Sequence, residues 1–255
     1  MKRPFGQHFL FDKNILRKII DAGGVTLKDT VVEIGPGLGP LTKLLSERAK
    51  KVIAIEFDRK LISRLRENLS EKKNVEIINA DALKFPYETI KGRFRVVSNI
   101  PYNITTPIIF RLLEHKKKVS SMTLLMQKEV AKRIASPSNC KEYGVLSIST
   151  QLYTKPILKF TVSRKAFSPP PKVDSMVINF EVFPSTRFSV KDEVMLMDVV
   201  RSAFSQRRKT IINGLKKFEG AKNALNDAGI DPKLRPENLS IQDFIRISDS
   251  LSDKY

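Results

Sequence analysis

The sequence predicts an α/β protein: seven strands with interleaved helices, followed by a small C-terminal domain that is helical throughout. Three observations carry this. Short apolar, β-branched runs near 30–34, 52–55, 75–78 and 94–98 alternate with stretches of helical periodicity, the pattern of strands joined by crossover helices. The first run passes directly into Gly35-Pro36-Gly37-Leu38-Gly39, and Pro40 suits the first turn of a helix. Beyond Phe183-Pro184-Ser185 the strand-like runs stop, and helical patterns follow at about 191–206, 208–218, 221–228 and 241–251. The expected domains are therefore 1–184 and 185–255.

Composition narrows the function classes. A chain of 255 residues with 41% hydrophobic content is globular and has ample core. No apolar run reaches bilayer length, and Met1-Lys2-Arg3-Pro4 leads to no signal-peptide core. Cys140 is the only cysteine, which excludes an internal disulfide and a cysteine-based zinc site. His8 and His115 are far apart, so no metal site is expected. These features predict a cytoplasmic protein with no membrane partner. The net charge of +19 predicts a polyanionic partner, nucleic acid before anionic membrane. Residues 1–184 hold 33 basic and 17 acidic residues, and 185–255 hold 13 and 10, so the larger part carries most of the excess.

In chain order, residues 2–11 are basic and then aromatic. Asp12 is placed to cap a helix over about 13–22, with Ile15, Leu16, Ile19 and Ile20 on one face and Gly23-Gly24 as the stop. The glycine loop follows. Its G-x-G-x-G spacing differs from the dinucleotide G-x-G-x-x-G, whose third glycine would fall at Pro40. Gly35 and Gly37 let the backbone pass close to a ligand, and the helix start offers N–H groups. The next strand ends on Glu56, 17 residues after Gly39, at the place and distance of a group that holds ribose hydroxyls. Asp58 then caps a helix. The third strand ends at Asn79-Ala80-Asp81-Ala82, where Asp81 can accept from an adenine amino group. Singly, each acid reads better as a solvated cap. Three ordered features at strand ends on one rim read as a site.

The fourth strand delivers Asn99-Ile100-Pro101-Tyr102. Pro101 fixes its own φ and biases Ile100 to extended geometry, so the turn is stiff. The Asn99 amide oxygen and the Ile100 carbonyl can accept hydrogen bonds from an exocyclic NH2, and Tyr102 offers a stacking face worth about 1–3 kcal/mol per base. The basic run after the next helix, with Lys116 and Lys117, reads either as a phosphate contact or as helix-end charge. Further strands are expected at 121–126, about 157–162 and 176–182, with helices at 128–136 and 143–153. The last two strands look like an antiparallel pair. The long connection between them carries Arg164, Lys165, Phe167, three prolines and Lys172, and Phe167 on it is expected to be a second stacking wall. In the tail, Arg207-Arg208-Lys209 are placed on the second helix as an RNA contact, and Ser240 with Asp243 resembles a capping box.

Together these residues resemble the ribosomal RNA adenine dimethyltransferases, and the tail, with Ser205-Gln206-Arg207-Arg208-Lys209-Thr210 and 235–240, resembles the bacterial small-subunit branch. The resemblance runs over nearly the whole length, through residues 5–10, 32–39, Glu56, Asp81-Ala82, 99–103 and 167–175. It implies a Rossmann-like, seven-stranded methyltransferase sheet with one reversed strand and S-adenosyl-L-methionine as methyl donor, leaving S-adenosyl-L-homocysteine. It implies cofactor contacts at His8, Leu10, Gly35, Gly37, Glu56, Asp81, Ala82 and Asn99. The family more often has Asn at the position of His8, and Gly at that of Ser98, where little consequence is expected. The implied activity is N6,N6-dimethylation of two adjacent adenosines in a hairpin loop near the 3′ end of 16S rRNA, within a small ribosomal subunit precursor. The helical domain is expected to hold RNA, and a monomer is the default. The rivals are a large-subunit resistance methyltransferase, a DNA adenine methyltransferase, which shares Asn-x-Pro-Tyr, and a non-catalytic assembly factor.

Overall fold

The computed structural model describes residues 8–252. Its strands are β1 (Phe9–Leu10), β2 (Thr30–Ile34), β3 (Lys51–Glu56), β4 (Val75–Asn79), β5 (Phe94–Asn99), β6 (Val119–Gln127), β7 (Thr154–Val162), β8 (Phe167–Ser168) and β9 (Ser175–Val182). Its helices are α1 (Lys13–Gly23), α2 (Pro40–Ser46), α3 (Arg59–Asn68), α4 (Thr105–Glu114), α5 (Lys128–Ala135), α6 (Val145–Gln151), α7 (Glu193–Ser205), α8 (Ile211–Gly214), α9 (Ala221–Asp227) and α10 (Ile241–Ser252).

Seven strands form one sheet in the order β4-β3-β2-β5-β6-β9-β7. The β2–β3, β3–β4, β2–β5 and β5–β6 pairs are parallel, and β9 runs antiparallel to β6. From β2 the chain builds outward to β3 and β4, then returns to β5 on the other side. The switch point of the sheet therefore lies between β2 and β5, where ligands bind in open α/β folds. The strands read as near-continuous apolar runs because both faces are covered: Val31, Val32, Val52, Ala54, Val96 and Val97 are all buried. Helix α1 closes one face with Leu16, Ile19 and Ile20, each buried side chain contributing about 1.5–3 kcal/mol. Its ends are set locally. Asp12 Oδ1 accepts from the Asn14 and Ile15 N–H groups at 2.8 and 3.2 Å, and Gly24 terminates it in the left-handed region.

Two compact units emerge. One contains the chain up to Ala131 together with Lys155–Ser185, and the other contains Lys132–Thr154 together with the chain from Thr186. The boundary expected near 184/185 lies at the last of three crossings between the units, at 185/186. The domain boundaries of 1–184 and 185–255 need correction elsewhere, because 132–154 joins the helical unit. The cause is packing. Tyr143, Ile148 and Leu152 share one apolar core with Leu196, Val199, Val200, Leu215, Phe244 and Ile247. Asp192 caps α7 through the Val194 and Met195 N–H groups, and Ser240 and Asp243 cap each other reciprocally before α10. Residues 206–209 form a turn between α7 and the four-residue α8, so Arg207, Arg208 and Lys209 do not lie on a helix, contrary to expectation. Among the described residues, no helix is long and apolar enough to cross a membrane.

Candidate active site

The sheet fold converges its functional side chains on the carboxyl ends of β2, β3, β4 and β5. Two clefts open there. The first is lined by His8, Leu10, Glu33, Gly37, Asn99 and Tyr102, the second by Phe57, Asp58, Asp81, Ala82, Asn103 and Ile104. Gly35, Glu56 and Pro101 line both, so the clefts are adjoining. Counting the open solvent at their mouths they hold about 660 and 770 Å³, the size of a small-molecule site.

The glycine loop is shaped by contact. Gly35 has φ of 67°, and a Cβ there would lie 3.3 Å from the Pro101 ring. A Cβ on Gly37 would come within 2.7 Å of the Phe9 ring, so a side chain at 37 requires Phe9 to move. The loop is not the open N–H cradle that its sequence implies. Gly35 N–H donates to the Ile55 carbonyl, Gly37 N–H to Glu56 Oε2 at 3.0 Å, and Gly39 N–H to the Pro36 carbonyl. Such a loop offers close approach but no anion hole, which suits a ligand without phosphate.

Glu56, 3% exposed, ends β3 with its carboxylate accepting from Gly37 and Asp58 N–H. Burial raises its pKa, and these two N–H groups oppose the rise. Asp81 stands at the neighbouring strand end, where Oδ1 accepts from Leu83 N–H at 2.9 Å. Asn79 ties the two ends together by donating to the Glu56 and Phe57 carbonyls. Phe57, missed in the sequence because a residue after a strand-end acid reads as a turn, is 58% exposed on the wall of the second cleft, with Ala82 among the other lining residues.

Glu33 was also missed. Its position within β2 reads as an outward-facing residue, yet it is 2% exposed, lines the first cleft, and has an Oε2 with no hydrogen-bond partner. Burial pushes its carboxyl up to about 8; the Thr42 hydroxyl opposes this and the nearby Glu56 carboxylate adds to it. A buried acid beside a cleft, neutral while the site is empty, is one that a ligand cation would ionise and pair with.

Asn99 ends β5. Its amide nitrogen donates to the His8 carbonyl at 3.3 Å, which directs Oδ1 away from that carbonyl. Ile100 is pinned by its N–H to the Leu125 carbonyl at 3.1 Å and by a side chain 1% exposed. Pro101 follows at φ −54°, ψ 130°, and Tyr102 opens a short 3₁₀ turn. The Tyr102 hydroxyl is 2.6 Å from Ser175 Oγ. Burial raises the phenol's pKa, only partly offset by Ser175, so it remains protonated near neutral pH.

The structure therefore brings together His8, Leu10, Gly35, Gly37, Glu56, Asn99, Ile100, Pro101 and Tyr102 in one cleft, with Asp81 and Ala82 in the adjoining one. It does not bring Phe167 with them. Phe167 is 4% exposed, pairs through β8 with Leu10 of β1, and packs in the core with Leu10, Val162 and Val177. The expected second stacking wall is thus a core residue here. The ring facing Tyr102 is that of His8, 5.6 Å away between centroids, and His8 Nδ1 is hydrogen-bonded to the Pro169 carbonyl at 2.8 Å. Phe5, Gly6 and Gln7 of the N-terminal motif lie outside the described residues.

The basic candidates divide. Lys117, Arg164 and Lys165 are exposed, and Lys116 is half-buried. Arg164 donates to the Lys172 carbonyl at 3.3 Å, while its N–H caps onto Asp174. Arg207 is engaged within its own unit, pairing with Glu237 at 3.0 Å and donating to the Lys141 carbonyl. Arg208 and Lys209 are exposed. Among the described residues no group of three metal-ligating side chains assembles.

Comparison with known proteins gives a consistent result. Residues 1–253 match the family model described as ribosomal RNA adenine dimethylase. A ribosomal RNA small subunit methyltransferase A from Clostridium botulinum is 46% identical over 258 residues, covering 98% of this chain and 94% of that one. A protein of the same name from Bacillus thuringiensis is 43% identical over 265 residues, covering 98% and 91%. Among solved structures, a dimethyladenosine transferase from Plasmodium falciparum matches with a TM-score of 0.81 at 30% identity, covering 97% and 98%. A 23S rRNA methyltransferase, ErmE, matches at 0.77 and 26%, covering 96% and 99%.

Proposed function

Because the chain belongs to the ribosomal RNA adenine dimethylase family, we propose that this rRNA adenine dimethyltransferase acts on the small ribosomal subunit. Its substrate in this reading is a precursor of that subunit, where it dimethylates N6 of two adjacent adenosines in a hairpin loop near the 3′ end of 16S rRNA. The small-subunit assignment follows the names of the relatives and the tail sequence 205–210, and a cytoplasmic location follows from that substrate. The observation that carries the site assignment is the position of Asn99, at a strand end beside the switch point, with its amide nitrogen held by the His8 carbonyl.

The residues present fit S-adenosyl-L-methionine. Glu33 is a buried acid with an unpartnered oxygen for a cationic group, Glu56 and Asp81 stand where ribose and adenine would be held, and Phe57 and Ala82 wall the second cleft. His8, Leu10, Gly35 and Gly37 complete the lining of the first cleft. When bound, this cofactor supplies an electrophilic sulfonium methyl.

The chain's own residues then do the following. Tyr102 stacks on a base swung out of its stack in the loop, and its phenol, hydrogen-bonded to Ser175, keeps the ring's orientation. Asn99 Oδ1 and the Ile100 carbonyl accept the two amine hydrogens and favour the tetrahedral nitrogen as positive charge develops on it. With the amine so held, its nitrogen would face the methyl group that the donor would supply, and the displaced amine proton would pass to solvent. The protonated Tyr102 phenol is no base, so the rate comes from placement, which in well-oriented systems supplies roughly 7–11 kcal/mol. A second transfer needs the monomethylamine to be accepted again with one hydrogen remaining for Asn99 or Ile100. Phe167 has no part in this arrangement as packed, and His8 takes the place facing Tyr102.

The test is transfer from labelled S-adenosyl-L-methionine to unmethylated small subunits, with naked large-subunit RNA in parallel, followed by nuclease digestion and mass analysis. Dimethyladenosine only in the small-subunit sample is expected. Product only on large-subunit RNA refutes the substrate assignment, and tight subunit binding with no product refutes the roles given to Asn99 and Tyr102.

A further inference from the structure

The parallel ladder between β2 and β5 is unusually short. It pairs Val31 with Arg95 and Val32 with Val96, then stops. Both strands continue on their outer sides: β2 stays paired with β3 to Ile34, and β5 stays paired with β6 to Asn99. The strands thus part from each other for their last two or three residues, at the switch point, and the clefts open immediately beyond. Parting leaves the Ile34 N–H and C=O, which would face β5, without ladder partners in a buried setting. Unpaired, such groups each cost about 1–3 kcal/mol.

One hydroxyl answers both. Ser98 Oγ accepts from Ile34 N–H at 3.3 Å and donates to the Ile34 carbonyl at 2.5 Å. Ser98 is fully buried and lines neither cleft. It directly precedes Asn99, and Ile34 directly precedes Gly35, which packs on Pro101. We propose that Ser98 is a positioning residue for methyl transfer: its hydroxyl rivets the parted strand ends and fixes Asn99 relative to the glycine loop. The inference rests on the reading of the clefts as a methyl-donor site beside Asn99. A reacting distance set across two strands needs a fixed link between them, and misplacement by about 1 Å costs on the order of 10²-fold in rate. Ser98 supplies that link without occupying the cleft. Its replacement therefore differs from loss of Asn99, since the accepting groups remain but their register to the donor loosens.

The experiment compares wild type, Ser98→Ala and Ser98→Cys for kcat and KM on small subunits. Each rate is taken at saturating S-adenosyl-L-methionine, below the unfolding midpoint, and normalised to the folded fraction by circular dichroism. Ser98→Ala is expected to lower kcat about tenfold or more, with KM for the subunit within about twofold, since the change disturbs placement and leaves the RNA-binding surface intact. Ser98→Cys retains the volume with a weaker donor and should fall between; it decides the matter if Ser98→Ala does not fold. Wild-type kcat in folded Ser98→Cys, or a loss carried by KM alone, overturns the proposal. The wild-type sample separates the two readings. No dimethyladenosine from wild type overturns the function itself, whereas product from wild type with unchanged variants overturns only the role of Ser98.

Discussion

Replacing Glu33 by Gln should stabilise the ligand-free protein at alkaline pH while weakening its hold on the cofactor. The carboxyl is displaced from an ordinary value of 4.5 to about 8, chiefly by burial. Below about pH 4.5 the group is protonated in the folded and unfolded chains alike, and it costs nothing. As pH rises from there towards 8, the unfolded chain ionises Glu33 while the folded chain keeps it neutral, so stability falls. Above 8 the penalty levels off. At about 1.4 kcal/mol per pH unit the full penalty is of order 5 kcal/mol. Gln carries no charge in either state and lifts it. Thermal unfolding of both proteins at about pH 5 and about pH 8.5, on either side of the titration, reads this directly. Near parity is expected at the lower pH, and a midpoint raised by several degrees in Glu33→Gln at the higher. Added S-adenosyl-L-methionine should raise the wild-type midpoint more than that of Glu33→Gln, because the variant has lost the carboxylate that the donor's ammonium can pair with. A midpoint difference that is the same at both pH values would refute the buried, neutral Glu33. An equal ligand-induced shift in both proteins would refute its place in the cofactor site.

Three further outcomes follow from the geometry. Asn99→Ala should reduce methyl transfer by at least about 10²-fold, by analogy with the loss of one transition-state hydrogen-bonding group, while calorimetry still detects weakened S-adenosyl-L-homocysteine binding. Equal activity would remove Asn99 from the mechanism. Phe167→Ala should behave as a core deletion, losing about 3–5 kcal/mol of stability. A variant of normal stability that fails only in RNA turnover would restore the ring's stacking role. Replacing Arg208 and Lys209 together by Ala should lower the salt slope of subunit binding by about one for each phosphate left without its cation, while Arg207→Ala, whose guanidinium is committed to Glu237 and Lys141, should change the slope less than either. An unchanged slope in the double variant would take this turn out of the interface.

Most of the sheet was legible because its strands announce themselves locally. Apolar β-branched runs ending in Glu56, Asp81 and Asn99 fix both the strand and the rim residue, and Asp12 and Asp58 mark their helix starts by capping chemistry that spans only three residues. What the sequence hid depends on distant partners. The β1–β8 pair is two residues long, and it joins Phe9 to Ser168 and Leu10 to Phe167, far apart along the chain. Phe167 looked like an exposed aromatic on a basic loop because nothing near it in sequence reveals Leu10 opposite. Residues 132–154 read as helices of the catalytic domain, but the apolar face of Tyr143, Ile148 and Leu152 finds its partners on α7 and α10. Glu33 was hidden, and Ser98 was read as a substitution of little consequence, for a related reason. A polar residue inside a strand looks the same whether it faces water or a parted seam.

The chemistry of the proposed ligands also suits a glycine loop whose N–H groups are already committed. In a phosphate-binding switch point the free N–H groups of loop and helix are the recognition chemistry. Here Gly35, Gly37 and Gly39 commit theirs to Ile55, Glu56 and Pro36, and acidic and carbonyl groups stand out among the polar groups at the clefts, beside His8, Tyr102 and Asn103. Glu33, Glu56, Asp81, Asn99 Oδ1 and the Ile100 carbonyl can all accept or carry negative charge, and such a lining selects a ligand rich in N–H, O–H and positive charge. It repels the phosphates that the basic surface of the same protein, with a net charge of +19, attracts. The two sets of chemistry divide one task. In the proposed reading the surface gathers a polyanion, and the acceptor-lined rim takes from it a base carrying an amine, beside a cationic methyl donor.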